Sequence, residues 1–85
     1  MVVLTLVFVC LTIGFVMIKC EKSFVDPIVS KLSKVEGVQY IHKVTGGPYA
    51  IITKICAETR NEIKKRMEDI KTIDHIELAA SLIVL

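Results

Sequence analysis

With 85 residues, the chain can form at most one small domain, and a domain of this size has little interior in which to bury apolar side chains. Hydrophobic residues make up 53% of the chain and the mean hydropathy is +0.61. Either part of the chain enters a membrane, or much apolar surface packs against another subunit. The net charge of +2, from 11 basic and 9 acidic residues spread along the chain, does not provide the concentrated basic face that nucleic-acid binding usually needs.

The chain opens with an apolar stretch in which no charged residue occurs from Val2 to Ile18. A membrane-spanning helix needs about 20 apolar residues, so the length is borderline. No basic segment precedes the stretch, no A-x-A-like cleavage site follows it, and many of its residues are β-branched, which together favour a strand. We therefore expect the first strand at residues 14–20 and treat residues 1–13 as an apolar extension without an assigned role. A membrane anchor or a misplaced gene start is the alternative.

Two helices and three further strands follow in chain order. Apolar residues at the helical period, an Asp26-Pro27 first turn and Gly37 as a stop signal predict the first helix. The segment from Thr59 to Glu62 has the capping-box signature and opens the second helix. The strands expected around these helices cover residues 38–45, 49–57 and 76–85.

The element order predicts an α+β, ferredoxin-like βαββαβ fold, in which a four-stranded antiparallel sheet carries two helices on one face. In the first strand, Phe15 and Met17 point to one face while Val16 and Ile18 point to the other, so both faces are apolar. Two helices cover only one face, and a soluble monomer exposes at most roughly a few hundred Å² of contiguous apolar surface. We therefore expect a homodimer that packs sheet against sheet.

The cysteines and histidines suggest no metal or cofactor. Three cysteines without a C-x-x-C pair predict neither a disulfide framework nor a zinc site, and free buried thiols in a reducing cytosol are expected. Cys20 and Cys56 end the first and third strands, which we expect to be parallel neighbours, so their coupling under oxidation is the alternative. His42 and His75 are far apart in the sequence, and we expect no metal centre and no cofactor.

A glycine turn at residues 45–49, Thr-Gly-Gly-Pro-Tyr, separates the second and third strands. Gly46 and Gly47 permit positive φ angles and let a ligand approach the backbone amides, while Pro48 stiffens the exit. Successive amides in such a turn can form a small concavity suited to a carboxylate. Most turns of this composition only link two strands, so the turn by itself leaves both interpretations open.

The segment 44–49, placed after a helix, a Gly-Val step and a strand, resembles the effector domain of the Lrp/AsnC transcription regulators, also called the RAM domain. The ending 81–85, Ser-Leu-Ile-Val-Leu, adds to this resemblance, which covers about residues 14–85. It implies dimers that assemble into rings of dimers, with small effectors, often amino acids, bound between dimers near the glycine turn. It also implies that the usual helix-turn-helix domain is missing. We expect a cytoplasmic, non-enzymatic, stand-alone module that senses an effector or co-assembles with full-length Lrp/AsnC regulators, without binding DNA directly.

The resemblance also implies an effector site made from the turn and the last strand. Its residues are Thr45, Gly46, Gly47, Tyr49 and Ser81. Two positions depart from the family pattern: Ala50 stands where the family often has Asp, and Ala79 replaces the first of two hydroxyls. These losses remove the side-chain recognition of an amino group that the family offers, whereas a backbone grip on a carboxylate is compatible with the turn. An altered effector, weaker binding and the absence of an effector all remain as alternatives.

Two other classes of function remain as alternatives. Dimers of ferredoxin-like sheets also form small α+β barrel monooxygenases and isomerases, which need a titratable group in the cleft between the sheets. His42, on the same strand face as Tyr40 and Val44, is the candidate, but no evident acid or base accompanies it. We therefore expect no catalytic residue and no enzyme. A membrane-anchored small protein whose first 18 residues form a helix is the other class.

Overall fold

The structure, a computed structural model, describes residues 10–85, and these residues form a βαββαβ unit. The elements are β1 (Thr12–Lys19), a short 3-10 helix (Lys22–Phe24), α1 (Val25–Leu32), β2 (Val38–Lys43), β3 (Ile51–Ala57), α2 (Arg60–Lys71) and β4 (Leu78–Ile83). The predicted element order is confirmed, and β1 begins two residues before the predicted start of the first strand. Of the predicted extension at residues 1–13, residues 1–9 lie outside the described residues.

The alternative of a membrane helix over the first 18 residues conflicts with the strand at Thr12–Lys19. Within residues 10–85, no helix has the length and apolar character that crossing a membrane requires.

The four strands form one antiparallel sheet in the order β2-β3-β1-β4, as the ferredoxin-like prediction requires. At its centre, Val16 lies opposite Thr53 on one side and Ser81 on the other. The sheet corrects one expectation, because β1 and β3 are antiparallel neighbours and not parallel ones. Cys56 therefore lies opposite Ile13, and Cys20 follows the other end of β1.

Cys56 is paired instead with Cys10. Their sulfurs are in bonding contact and their Cα atoms are 5.3 Å apart, a separation that a disulfide spans. The expectation of free thiols throughout is wrong for these two residues, and Cys20 is the free cysteine of residues 10–85. The Cys10 sulfur also accepts a hydrogen bond from Nε2 of Gln39 at 3.1 Å.

Both helices pack on one face of the sheet and enclose the core. The core side chains are Val16, Ile18, Ile28, Leu32, Ile51, Ile55, Ala57, Ile63, Met67 and Ile70. Thr53 is buried in the same layer, and its hydroxyl donates a hydrogen bond to the carbonyl of Tyr40 at 2.8 Å. Because this polar group is satisfied, its burial costs little.

The loop that joins α1 to β2 requires glycine at position 37. Gly37 has φ +90°, and a Cβ there would lie 2.6 Å from the carbonyl oxygen of Cys56. The Gly37 carbonyl also accepts the Cys56 amide at 2.9 Å. α1 itself ends at Leu32, so the prediction that Gly37 stops the helix is wrong, and the positive φ of Gly37 shapes the loop that leads into β2 instead.

On the other face of the sheet, residues 10–85 place no helix, and this face is called the uncovered face. Its apolar residues, assigned from the strand registers, include Ile13, Phe15, Met17, Ile52, Leu78, Ala80 and Leu82. Core residues alternate with them along the strands, which confirms the predicted two-sided apolar pattern.

Candidate functional site

Strand direction brings one end of β1, one end of β2 and the start of α1 together. Because α1 connects β1 to β2, these two strands run in the same direction on either side of β3. Their carboxyl ends therefore lie at the same edge of the sheet, where the glycine turn follows β2. The amide of Ala50, at the end of the turn, donates to the carbonyl of Ile18 in β1 at 2.8 Å, which fixes the turn against that edge.

An open groove of about 500 Å³ lies at this edge. The whole glycine turn, residues 45–49, forms one wall, and Cys20, Val25, Asp26 and Lys43 are among the residues that form the rest. Small-molecule sites in proteins commonly have volumes of about 300–1,000 Å³, so the groove has room for a metabolite.

The structure places four of the five predicted site residues in this groove: Thr45, Gly46, Gly47 and Tyr49. Ser81 is not among the lining residues. It lies on β4, opposite Val16, with β1 and β3 between it and the strand that leads into the turn.

The backbone of the glycine turn is exposed to the groove. Gly46 has φ +92°, and a Cβ built at Gly46 or Gly47 would meet no atom within 4 Å. Among the described residues, the amides of Thr45, Gly46, Gly47 and Tyr49 donate to no backbone carbonyl. Neighbouring amides with open space before them are the arrangement that holds a carboxylate or another small anion.

An ion pair connects two elements at the mouth of the groove. Nζ of Lys43, the last residue of β2, donates to Oδ1 of Asp26 at 2.5 Å, and Asp26 lies in the first turn of α1. Both side chains are exposed, Lys43 to 60% and Asp26 to 81%. The groove thus offers a cation and an anion, paired with each other, next to the free amides.

Sequence reasoning treated Asp26 only as a helix-start residue and did not single out Lys43. The signal that could have identified them is topological, since a βαβ unit brings the first turn of its helix to the carboxyl ends of its strands.

The thiol of Cys20 lines the groove but is not an activated nucleophile. Burial raises the pKa of Cys20, and the nearby carboxylate of Glu77 raises that pKa further. The thiol is therefore protonated at neutral pH, which is the unreactive form. Within residues 10–85, no cluster of three or more His, Cys, Asp or Glu side chains could hold a metal ion.

His42, the candidate for enzymatic chemistry, is not a groove residue. It is exposed beside the uncovered face, opposite Ile52, and its ring meets the Tyr40 ring edge-on with centroids 4.7 Å apart. This contact gives the imidazole a packing partner but no acid or base partner, so nothing in its surroundings supports catalysis.

The fold of this chain is similar to that of several solved structures. Similar solved structures include FFRP-DM1, with TM-score 0.80 and 18% identity over 88% of this chain and 100% of that one. TTHA0845 from Thermus thermophilus has TM-score 0.81 and 18% identity over 88% and 94% of the two chains. AsnC of E. coli has TM-score 0.77 and 25% identity over 87% of this chain and 50% of its own.

No curated protein matches the sequence. A family model described as the Lrp/AsnC ligand binding domain matches residues 13–85, nearly the whole length of the chain. The chain therefore belongs to the Lrp/AsnC ligand-binding domain family.

Proposed function

We propose that this protein is a regulatory module that binds a small effector, an amino acid or a related metabolite, in the groove beside the glycine turn. Ligand-binding domains of the Lrp/AsnC family are regulatory and generally non-enzymatic. The observation that carries the proposal is the turn itself, where free amides at 45–47 and 49 line a groove of metabolite size.

The turn offers complementary chemistry to a carboxylate. Its amides supply donors, and the side chains of Thr45 and Tyr49 add hydroxyl groups at the groove wall. Ser81, which lies away from the groove of its own protomer, would contact the effector from a neighbouring protomer. This arrangement requires that the effector be bound between subunits.

The uncovered face supports a homodimer as the basic unit. Lrp/AsnC ligand-binding domains typically oligomerise. Leu82 is 57% exposed on this face and lies next to Phe15 and Met17, and neither helix of residues 10–85 packs on this side of the sheet. Burying such a surface in a sheet-to-sheet dimer is favourable at about 25 cal/mol per Å². Dimers would then assemble further through the edges that carry the glycine turns.

In the cell, we expect the module to act in the cytoplasm and to modulate full-length Lrp/AsnC regulators by co-assembly. Direct contact with DNA is not part of the proposal, because the 11 basic and 9 acidic residues are interspersed and form no basic stripe.

A thermal-shift screen of the standard amino acids tests the effector. One or a few of them should raise the melting temperature, since a ligand at about 100 times its Kd stabilises the folded state by roughly 2.7 kcal/mol. Sugars at matched concentrations control for the general stabilisation that excluded solutes produce. If no amino acid raises the melting temperature more than the sugars do, the proposal of an amino-acid effector is wrong.

A further inference from the structure

We infer that Asp26 and Lys43 make the groove selective for zwitterionic ligands, Asp26 by accepting the ligand's ammonium group and Lys43 by pairing with its carboxylate. This inference rests on the proposed function and adds to it the charge pattern of the effector and the two residues that select it.

Asp26 supplies the groove with a carboxylate, which the glycine turn itself lacks because Ala50 stands at its end. Ala50 ends the turn with a methyl group, so the loop has no anion with which to hold an amino group. Asp26 reaches the same groove from α1, and its carboxylate lies at hydrogen-bond distance from a cation already, the Nζ of Lys43. The ammonium group of a ligand in the groove could therefore bind the Asp26 carboxylate in the same way as the Lys43 ammonium group does.

The ion pair can open at little cost. Both side chains are largely exposed, and exposed ion pairs between flexible side chains stabilise a protein only weakly. When a zwitterion enters, Asp26 exchanges the Lys43 ammonium for that of the ligand. Lys43 exchanges the Asp26 carboxylate for that of the ligand, which the amides of Gly46 and Gly47 also face. Neither Asp26 nor Lys43 is left without a partner, and the number of ion pairs that these two residues make rises from one to two.

Ligands that lack one charge would leave one residue of the pair uncompensated. An N-acetylated amino acid keeps the carboxylate but has no ammonium group to replace Lys43 at Asp26. An amino-acid amide keeps the ammonium group but has no carboxylate for Lys43. The groove should therefore prefer the free amino acid to both derivatives by about tenfold or more, the factor that corresponds to one modest charge-assisted contact.

Isothermal titration calorimetry with the full chain tests the assignment. The probes are the amino acid with the largest thermal shift, its N-acetyl derivative and its α-amide. In Asp26→Asn, the preference for the free amino acid over the N-acetyl derivative should fall by about tenfold, because the residue that reads the ammonium group is neutral. In Lys43→Gln, the preference over the α-amide should fall instead.

Asp74→Asn is the matched control. Asp74 is as exposed as Asp26, pairs with Lys31 at 3.9 Å and lies outside the groove, so both preferences should remain. Circular dichroism shows whether each variant is folded. If Asp26→Asn destabilises α1, Lys43→Gln still tests the charge pair, because Lys43 lies on β2 and not on that helix. Unchanged preferences in both groove variants, with the wild type still binding amino acids, would overturn this inference and leave the proposed function intact. A wild type that binds no amino acid would overturn both.

Discussion

At the scale of single residues, the two glycines of the turn have different tasks. Gly46 adopts φ +92°, a left-handed conformation that side chains disfavour, whereas Gly47 has no positive φ. Neither position is crowded, since a Cβ at either one would meet no atom within 4 Å. The backbone conformation of Gly46, and not the space around it, sets the shape of the turn.

Replacing Gly46 with Ala should lower the free energy of unfolding by about 1–2 kcal/mol, the usual cost of a left-handed residue with a Cβ. Gly47→Ala, one position along in equally open space, is the control and should change stability by no more than about 0.5 kcal/mol. Urea denaturation followed by circular dichroism measures both. Equal losses in the two variants would show that the φ of Gly46 is not what constrains the turn.

At the scale of elements, the two α-helices begin differently. Thr59 caps α2 through its hydroxyl, which accepts the amide of Glu62 at 3.2 Å, as the capping signature predicts. The N-cap of α1, Phe24, makes no side-chain hydrogen bond, and Asp26 provides the negative charge near that helix start. The same carboxylate faces the groove, so one residue serves both the helix and the proposed site.

Thr59→Ala should destabilise the protein by about 1 kcal/mol, because an amide of the first turn of α2 loses its acceptor. Thr59→Ser keeps the hydroxyl and should retain most of the stability. The measurement is again the urea midpoint. A loss in Thr59→Ser as large as in Thr59→Ala would indicate that the methyl group matters and the cap does not.

The periodicity of apolar residues was sufficient to predict both α-helices and all four strands, because it depends on neighbours within a few positions. The ends of the strands were predicted too long around the turn, where Val44 and Ala50 are joined by a single backbone hydrogen bond outside β2 and β3. The Asp26–Lys43 contact joins residues 17 positions apart, and only the crossover geometry brings them together. Local pattern cannot predict such a pair.

At the scale of the whole molecule, the uncovered face is the surface through which we expect the protein to associate. It places Leu82 and Phe15 opposite each other on neighbouring strands, with Met17 and Ala80 beside them. The one-faced helix layer follows from the right-handed crossovers of both βαβ connections. Self-association through this face would bury the side chains that a monomer leaves in water.

Leu82→Glu should convert the proposed dimer to a monomer at micromolar concentration, since it would bury a charge within the proposed interface. Leu85→Glu is the control, because Leu85 is fully exposed beyond the end of β4. Light scattering coupled to size-exclusion chromatography gives the two masses. A Leu82→Glu protein of unchanged mass would rule out the sheet-to-sheet dimer.

The Cys10–Cys56 pair has a consequence for how this chain responds to its surroundings. The bond joins residues 46 positions apart and closes a loop that contains β1, α1, β2 and most of β3. In the chain-entropy description, closing so long a loop raises the free energy of the unfolded chain by roughly 4 kcal/mol. Reducing conditions, such as those of the cytosol, would open the bond. In the sheet, Cys56 lies opposite Ile13, near the start of β1. The groove lies beyond the other end of that strand, so the disulfide and the groove are at opposite ends of β1. Oxidant and reductant should therefore change the resistance of the protein to heat while leaving its ligand affinity the same.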